Sequence, residues 1–112
     1  MSVLSDTKQL LGITSLDDYD DTWNLDILTA LNTSMTVLFQ LGVPFVTITD
    51  ETEYTDLATD PMLQSLIKSY LFFKTKKQFD PSQSTNAVTA MNDMIAELES
   101  RIGFLVDPGS MP

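Results

Sequence analysis

The sequence lacks cysteine and histidine throughout its 112 residues. Without cysteine there are no disulfides, no thiol catalysis and no cysteine-liganded metal sites. Without histidine there are no histidine-dependent catalytic triads and no histidine metal ligands. The four glycines stand apart from one another, so no glycine-rich phosphate-binding loop is present. These absences remove the commonest catalytic and metal-binding arrangements.

Long apolar runs are also missing. No stretch approaches the ~18 apolar residues that a membrane-spanning helix needs, so we expect no membrane association. Residues 1–6 lack the basic and apolar regions of a signal peptide, and no secretory leader is expected. Apolar residues nevertheless make up 43% of the chain and charged residues 20%, which is not the composition of a disordered protein. The length suits one domain with a modest core.

Basic residues are scarce: six lysines and arginines face sixteen acids, for a formal net charge of −10. Residues 1–60 contain eleven acids and one base, whereas residues 61–112 contain five of each. A protein that binds duplex DNA needs lysine and arginine to displace counterions from phosphates, so sequence-specific nucleic-acid binding is not expected. The acids favour either a solvated surface or one that lies close to a polyanion without adhering to it.

Apolar spacing and helix-boundary residues predict an all-α domain of about four helices over residues 1–105, with a flexible tail at 106–112. The first three helices are predicted at 6–11, 22–41 and 62–77, with a brief helical turn near 55–60. Asp80 and Pro81 precede the fourth and most regular helix. Its apolar residues are spaced alternately by three and four positions, as one buried helix face requires: Val88, Met91, Ile95, Leu98, Ile102 and Leu105.

A short β-branched stretch at residues 45–49 predicts a strand that is isolated in this sequence. Because a lone strand cannot satisfy its own backbone groups, it needs a partner in the chain or in a neighbouring molecule. We place these residues at a candidate interface: Phe45, Val46, Thr47, Ile48 and Thr49.

Two charged clusters and one ion pair are the remaining candidate sites. Carboxylates at Asp17, Asp18, Asp20 and Asp21 can hold a cation or do acid–base chemistry, but they lack the calcium-loop pattern and suit helix capping and solvation. Lys74, Lys76 and Lys77 complement the negative end of a helix dipole or pair with an acidic neighbour. Arg101 can pair with Glu97 one turn earlier, or reach another helix or subunit. No cofactor and no catalytic residue is indicated.

Two motifs at defined spacing carry a resemblance to a known family. A helix from Tyr70 ends in Phe79-Asp80-Pro81, and the next helix carries Glu97-Leu98-Glu99-Ser100-Arg101. These two motifs, together with predicted helices that end at Gly12 and Gly42, resemble those of the head–tail connector (adaptor) family of tailed bacteriophages. The resemblance implies a non-enzymatic virion protein of the neck, present in the host cytoplasm before assembly. In that family a ring, typically of twelve subunits, sits on the portal, extends the DNA channel and meets a stopper or tail-completion protein.

The resemblance also assigns roles to several candidate residues. Lys74, Lys76, Lys77, Phe79 and Arg101 become candidate contacts with other subunits or neck proteins, as do residues 45–49. The end of the chain becomes a candidate docking arm for the portal: Val106, Asp107 and Pro108 with the residues that follow. The four acids at positions 17, 18, 20 and 21 become candidate channel-facing groups. The competing interpretation is a small acidic helical regulator, such as an inhibitor that mimics nucleic acid.

Overall fold

Three long helices and two short ones are built by the residues that the computed structural model describes, which are 2–11, 24–79 and 84–106. No strand occurs in these ranges, so the all-α prediction is confirmed. The helices are α1 (Val3–Leu10), α2 (Asn24–Gln40), α3 (Tyr54–Leu57), α4 (Pro61–Phe79) and α5 (Thr85–Val106). Helix α4 is central, because it packs against each of the other four.

The core follows the apolar spacing of the sequence. In α5 all four central residues of the predicted seam are buried, so the prediction for Leu98 and Ile102 is confirmed. In α2, Ile27 is fully buried, whereas the neighbouring Leu28 is only partly buried. The buried hydrophobic side chains of the three long helices are Ile27, Ala30, Leu31, Met35, Leu38, Ile67, Tyr70, Leu71, Met91, Ile95, Leu98 and Ile102.

The first helix begins earlier than predicted. Helix α1 starts at Val3 rather than at residue 6, because the Ser2 hydroxyl accepts a hydrogen bond from the Ser5 amide at 3.1 Å. The Val3 amide donates to the Thr52 carbonyl at 2.8 Å, which joins α1 to the segment before α3. Local periodicity does not reveal that second contact, since its partners are far apart in sequence.

The predicted strand at residues 45–49 is wrong as an assignment of secondary structure. Residues 43–49 follow α2 without forming a helix or a β-ladder within the described ranges. An isolated strand has no neighbouring backbone to pair with, and here a side chain, that of Asn32, supplies the hydrogen bonds instead. We call residues 43–49 the extended segment.

The boundary between domain and tail also moves. Val106 was predicted to begin the tail, but it is the last residue of α5 and packs against the core. Its Cγ1 atom lies 2.8 Å from the position that a side chain at Gly42 would occupy, and Gly42 adopts a φ of 110°. Only glycine suits both conditions, so the α2 exit and the α5 end meet closely. Residues 107–112 lie outside the described ranges.

Candidate interaction surfaces

The extended segment is fixed by the amide of Asn32 on α2. The Ile48 amide donates to Asn32 Oδ1 at 2.8 Å, and Asn32 Nδ2 donates to the Ile48 carbonyl at 3.0 Å. The same Nδ2 donates to the Leu28 carbonyl at 2.9 Å, which holds the amide in place on its helix. One side chain thus makes the two bonds that a neighbouring strand would make to Ile48.

The five candidate residues of the segment divide between core and surface. Ile48 is buried and contributes to the core, whereas Val46 is half-buried. Phe45 is 47% exposed and its ring meets that of Phe39 edge-on, with centroids 6.4 Å apart. Thr47 and Thr49 are exposed, and the Thr49 amide donates to the Thr52 hydroxyl at 2.9 Å. Phe45, Thr47 and Thr49 are therefore the members that face solvent, and their role as an interface stays a prediction.

The three lysines gather at the C-terminal end of α4, where the sequence places them. Lys74 Nζ lies 5.8 Å from the centroid of the Tyr70 ring, and Lys76 Nζ lies 5.7 Å from that of Phe72. Within the described ranges no carboxylate forms an ion pair with Lys74, Lys76 or Lys77. Phe79 is the last residue of α4, and its side chain lies outside the described part of the structure.

Arg101 pairs with Glu97, as the spacing predicted. Its Nε and Nη2 atoms donate to Glu97 Oε1 at 3.0 and 2.6 Å. Both side chains are more than half exposed, so the pair contributes under about 1 kcal/mol.

Arg101 also borders an apolar groove that sequence reasoning missed. This groove, of about 610 Å³, lies between the start of α4 and the end of α5, and Met62, Leu66, Phe104 and Leu105 line it. Met62 and Phe104 are 62% and 51% exposed. The sequence gives little indication of this groove, because Met62 and Phe104 fall outside the regular apolar spacing of their helices. Only the packing of α4 against α5 brings the two side chains together.

Two partly buried hydroxyl–carboxylate hydrogen bonds join the helices. Tyr54 Oη donates to Asp6 Oδ2 at 2.8 Å, and Lys68 Nζ lies 3.4 Å from the same oxygen. Tyr70 Oη donates to Glu99 Oε2 at 2.8 Å. Burial, followed by the carboxylate bond, raises the pKa of Tyr54 and of Tyr70 well above the usual value. These bonds link α1 and α3 to each other and α4 to α5.

The remaining candidates fall outside the described ranges: Asp17, Asp18, Asp20, Asp21, Asp107 and Pro108. Within the ranges that are described, no three acidic side chains are grouped so that they could hold a metal ion. None of the described helices is long and apolar enough to cross a membrane. What the geometry offers is a set of exposed surfaces on a helical scaffold.

The fold and these surfaces define a small all-α protein whose exposed features suit contacts with other macromolecules. The sequence profile of the family described as "Phage connector protein" matches residues 3–108. The chain belongs to the phage connector protein family, in agreement with the resemblance drawn from its motifs. Searches of curated proteins and of solved structures found no match.

Proposed function

We propose that this protein is a structural component of the phage neck that joins the DNA-filled head to the tail. Membership of the connector family over residues 3–108 is the observation that carries the proposal. In this role copies of the chain form a ring on the portal, continue the DNA channel and present a platform to a stopper or tail-completion protein. The chain acts by binding and has no catalytic part.

The distribution of acidic residues along the chain supports a role at a DNA channel. The excess of acids is confined to residues 1–60, where eleven acids face one base. Duplex DNA carries about one negative charge per 1.7 Å and would adhere to a basic wall. An acidic wall lets DNA pass, so we assign the acids at 17, 18, 20 and 21 to the channel. The segment after α5, residues 107–112, is assigned to the portal.

A nonsense mutation in the gene of the phage that encodes this chain tests the proposal. We expect cells to accumulate heads and free tails that do not join, as seen by electron microscopy, and the protein supplied in trans to restore complete particles. A phage that carries a synonymous substitution at the same codon is the matched control. Normal numbers of tailed particles in the mutant would contradict the proposal and favour the acidic-regulator interpretation.

A further inference from the structure

Helix α4 separates two opposite charges. Residues 50–60, which lead into its first turn, contain five acids and no base. Its last two turns carry Lys74, Lys76 and Lys77. At a rise of about 1.5 Å per residue, a 19-residue helix holds its ends roughly 27 Å apart. The two charges of one copy therefore lie too far apart along α4 to pair with each other.

The lysines form a mixed basic and aromatic surface, which we call the lysine patch: Phe72, Phe73, Lys74, Lys76 and Lys77. The two phenylalanine rings touch, with centroids 5.4 Å apart, and Lys76 lies over one of them. By contrast, Lys68 pairs with Asp6 and Arg101 pairs with Glu97. Lys74, Lys76 and Lys77 form no ion pair with a carboxylate in the described ranges, so unpaired positive charge is concentrated at this end of α4.

At the other end lies a groove of matching chemistry, which we call the acidic groove. It has a volume of about 330 Å³ and runs between the extended segment and α3. Pro44, Val46, Leu57, Ala58 and Leu63 line it with apolar surface, and Asp56 and Asp60 stand among its polar residues. Lysine combines an apolar stem with a charged tip, so such a groove can cover the stem and pair the ammonium.

We propose that the acidic groove of one copy receives the lysine patch of a second copy. The inference rests on the proposed function and names the surfaces through which copies meet. The acidic groove and the lysine patch are different surfaces at opposite ends of α4, so the contact between two copies is head-to-tail. Repeated contacts of this kind close a ring or extend a chain. Opposite charges at the contact set its register and make it weaken as salt rises.

Cross-linking between single-cysteine variants tests this contact, since the chain has no native cysteine. Thr59→Cys places a thiol at the acidic groove and Gln78→Cys places one beside the lysine patch, and both positions are exposed. One variant carries a tag so that mixed and like pairs differ in mass, and a short bismaleimide joins nearby thiols. We expect mixed dimers to dominate over both like pairs, and the double variant to give a ladder of covalent oligomers.

Charge variants test whether the acidic groove and the lysine patch are responsible for the contact. Asp56→Asn/Asp60→Asn removes the groove charge, yet the amide oxygens still accept from the Glu53 and Met62 amides. Lys76→Gln/Lys77→Gln removes two charges of the patch. Each change is expected to lower the mixed cross-link about tenfold. The control is Gln9→Glu/Gln40→Glu on exposed positions of α1 and α2 outside both surfaces, which alters net charge as much as the lysine variant and should leave the yield unchanged.

Three results would overturn the inference: like pairs as abundant as mixed pairs, no cross-link at high protein concentration, or a mixed cross-link indifferent to both charge variants. Retention of duplex DNA that depends on Lys76 and Lys77, without a mixed cross-link, would assign the patch to nucleic acid instead. Failure here leaves the neck function intact if the nonsense mutant still lacks tailed particles. Normal particles from that mutant would remove the neck function whatever the cross-links show.

Discussion

At the scale of single residues, Asn32 fixes the extended segment to α2. Its side-chain amide forms hydrogen bonds with both the backbone N–H and the backbone carbonyl of Ile48, a residue whose side chain is buried in the core. Because a buried backbone group without a partner loses its hydration and gains nothing in return, this one side chain determines whether the extended segment can lie on α2. An amide is the group that suits the position, since it offers a donor and an acceptor together.

We predict that Asn32→Leu lowers the free energy of unfolding by about 1–3 kcal/mol, because it leaves the Ile48 amide and carbonyl unpaired. Urea denaturation followed by circular dichroism measures the change. Asn32→Asp keeps the acceptor for the Ile48 amide and should cost less, while Thr29→Ala on the exposed face of α2 serves as the control. Equal stability of wild type and Asn32→Leu would show that the segment is held by other contacts.

The α5 seam gives a second prediction at this scale. Leu98 is 6% exposed, so Leu98→Ala removes a buried side chain and leaves a cavity, which should cost about 2–5 kcal/mol. Met94→Ala on the same helix is the matched control, because Met94 is 41% exposed and should cost far less. Thermal melts of both variants provide the comparison, and a Leu98→Ala melting temperature equal to that of wild type would mean that the seam is misplaced.

Tyr54 and Tyr70 predict a response to alkaline pH. Burial raises the pKa of each in the folded state above the usual value near 10, so the unfolded chain releases its protons first. Their contribution to stability is complete below pH 10 and is lost as pH rises through the folded-state pKa. The free energy of unfolding should therefore fall more steeply above pH 10 in the wild type than in Tyr54→Phe/Tyr70→Phe. Identical slopes in chemical denaturation at pH 9–11 would refute this linkage.

At the scale of elements, the end of α5 is the last described part of the chain before the proposed docking arm. Val106 belongs to the helix and packs on the core, whereas residues 107–112 follow it. The α5 end also approaches the exit of α2 at Gly42, so shortening the helix disturbs two elements. A truncation placed after Val106 therefore removes the proposed docking arm and keeps every residue of α5.

We predict that truncation after Val106 leaves the melting temperature unchanged but abolishes association with the portal, because the proposed docking arm is gone. Truncation one residue earlier should in addition lower stability by about 1 kcal/mol, since it removes a partly buried valine. Calorimetry and co-sedimentation with portal-containing heads separate the two effects. Portal association by the chain that ends at Val106 would assign docking to another surface.

At the scale of the whole molecule, the distribution of charge is the dominant feature. The first half of the chain carries the entire net charge, and α4 places an acidic end opposite a basic one. Charge of this kind contributes little to the fold, because exposed ions remain hydrated. In the proposals made above, this charge acts on DNA along a channel and on another copy at a contact.

We predict that changing Asp17, Asp18, Asp20 and Asp21 to asparagine preserves the fold but slows DNA ejection from assembled particles, because the proposed channel wall loses its repulsion for phosphate. Asparagine caps helices as well as aspartate does, so stability should be retained. Ejection followed by a DNA-binding dye measures the rate. The matched control neutralises four exposed acids elsewhere: Asp26, Asp50, Glu51 and Asp93. Equal ejection rates in both variants would mean that the four acids serve solubility.

The sequence by itself determined the features that depend on near neighbours. Spacing of three and four residues predicted the long helices and most of the core, because a helix brings such positions to one face. The same local geometry predicted the Arg101–Glu97 pair and the lysines at the end of α4. The motifs around Asp80 and Glu97 were sufficient to indicate the connector family.

The tertiary structure decided what depends on residues distant in the chain. It replaced the predicted strand with an extended segment bonded to Asn32, sixteen positions before Ile48. It packed Val106 against the core beside Gly42, and it formed the groove that Met62 and Phe104 border. Periodicity reports only which face of an element is apolar, whereas these contacts depend on how the elements are placed against one another. For that reason the helices could be predicted from sequence, and the surfaces between them could not.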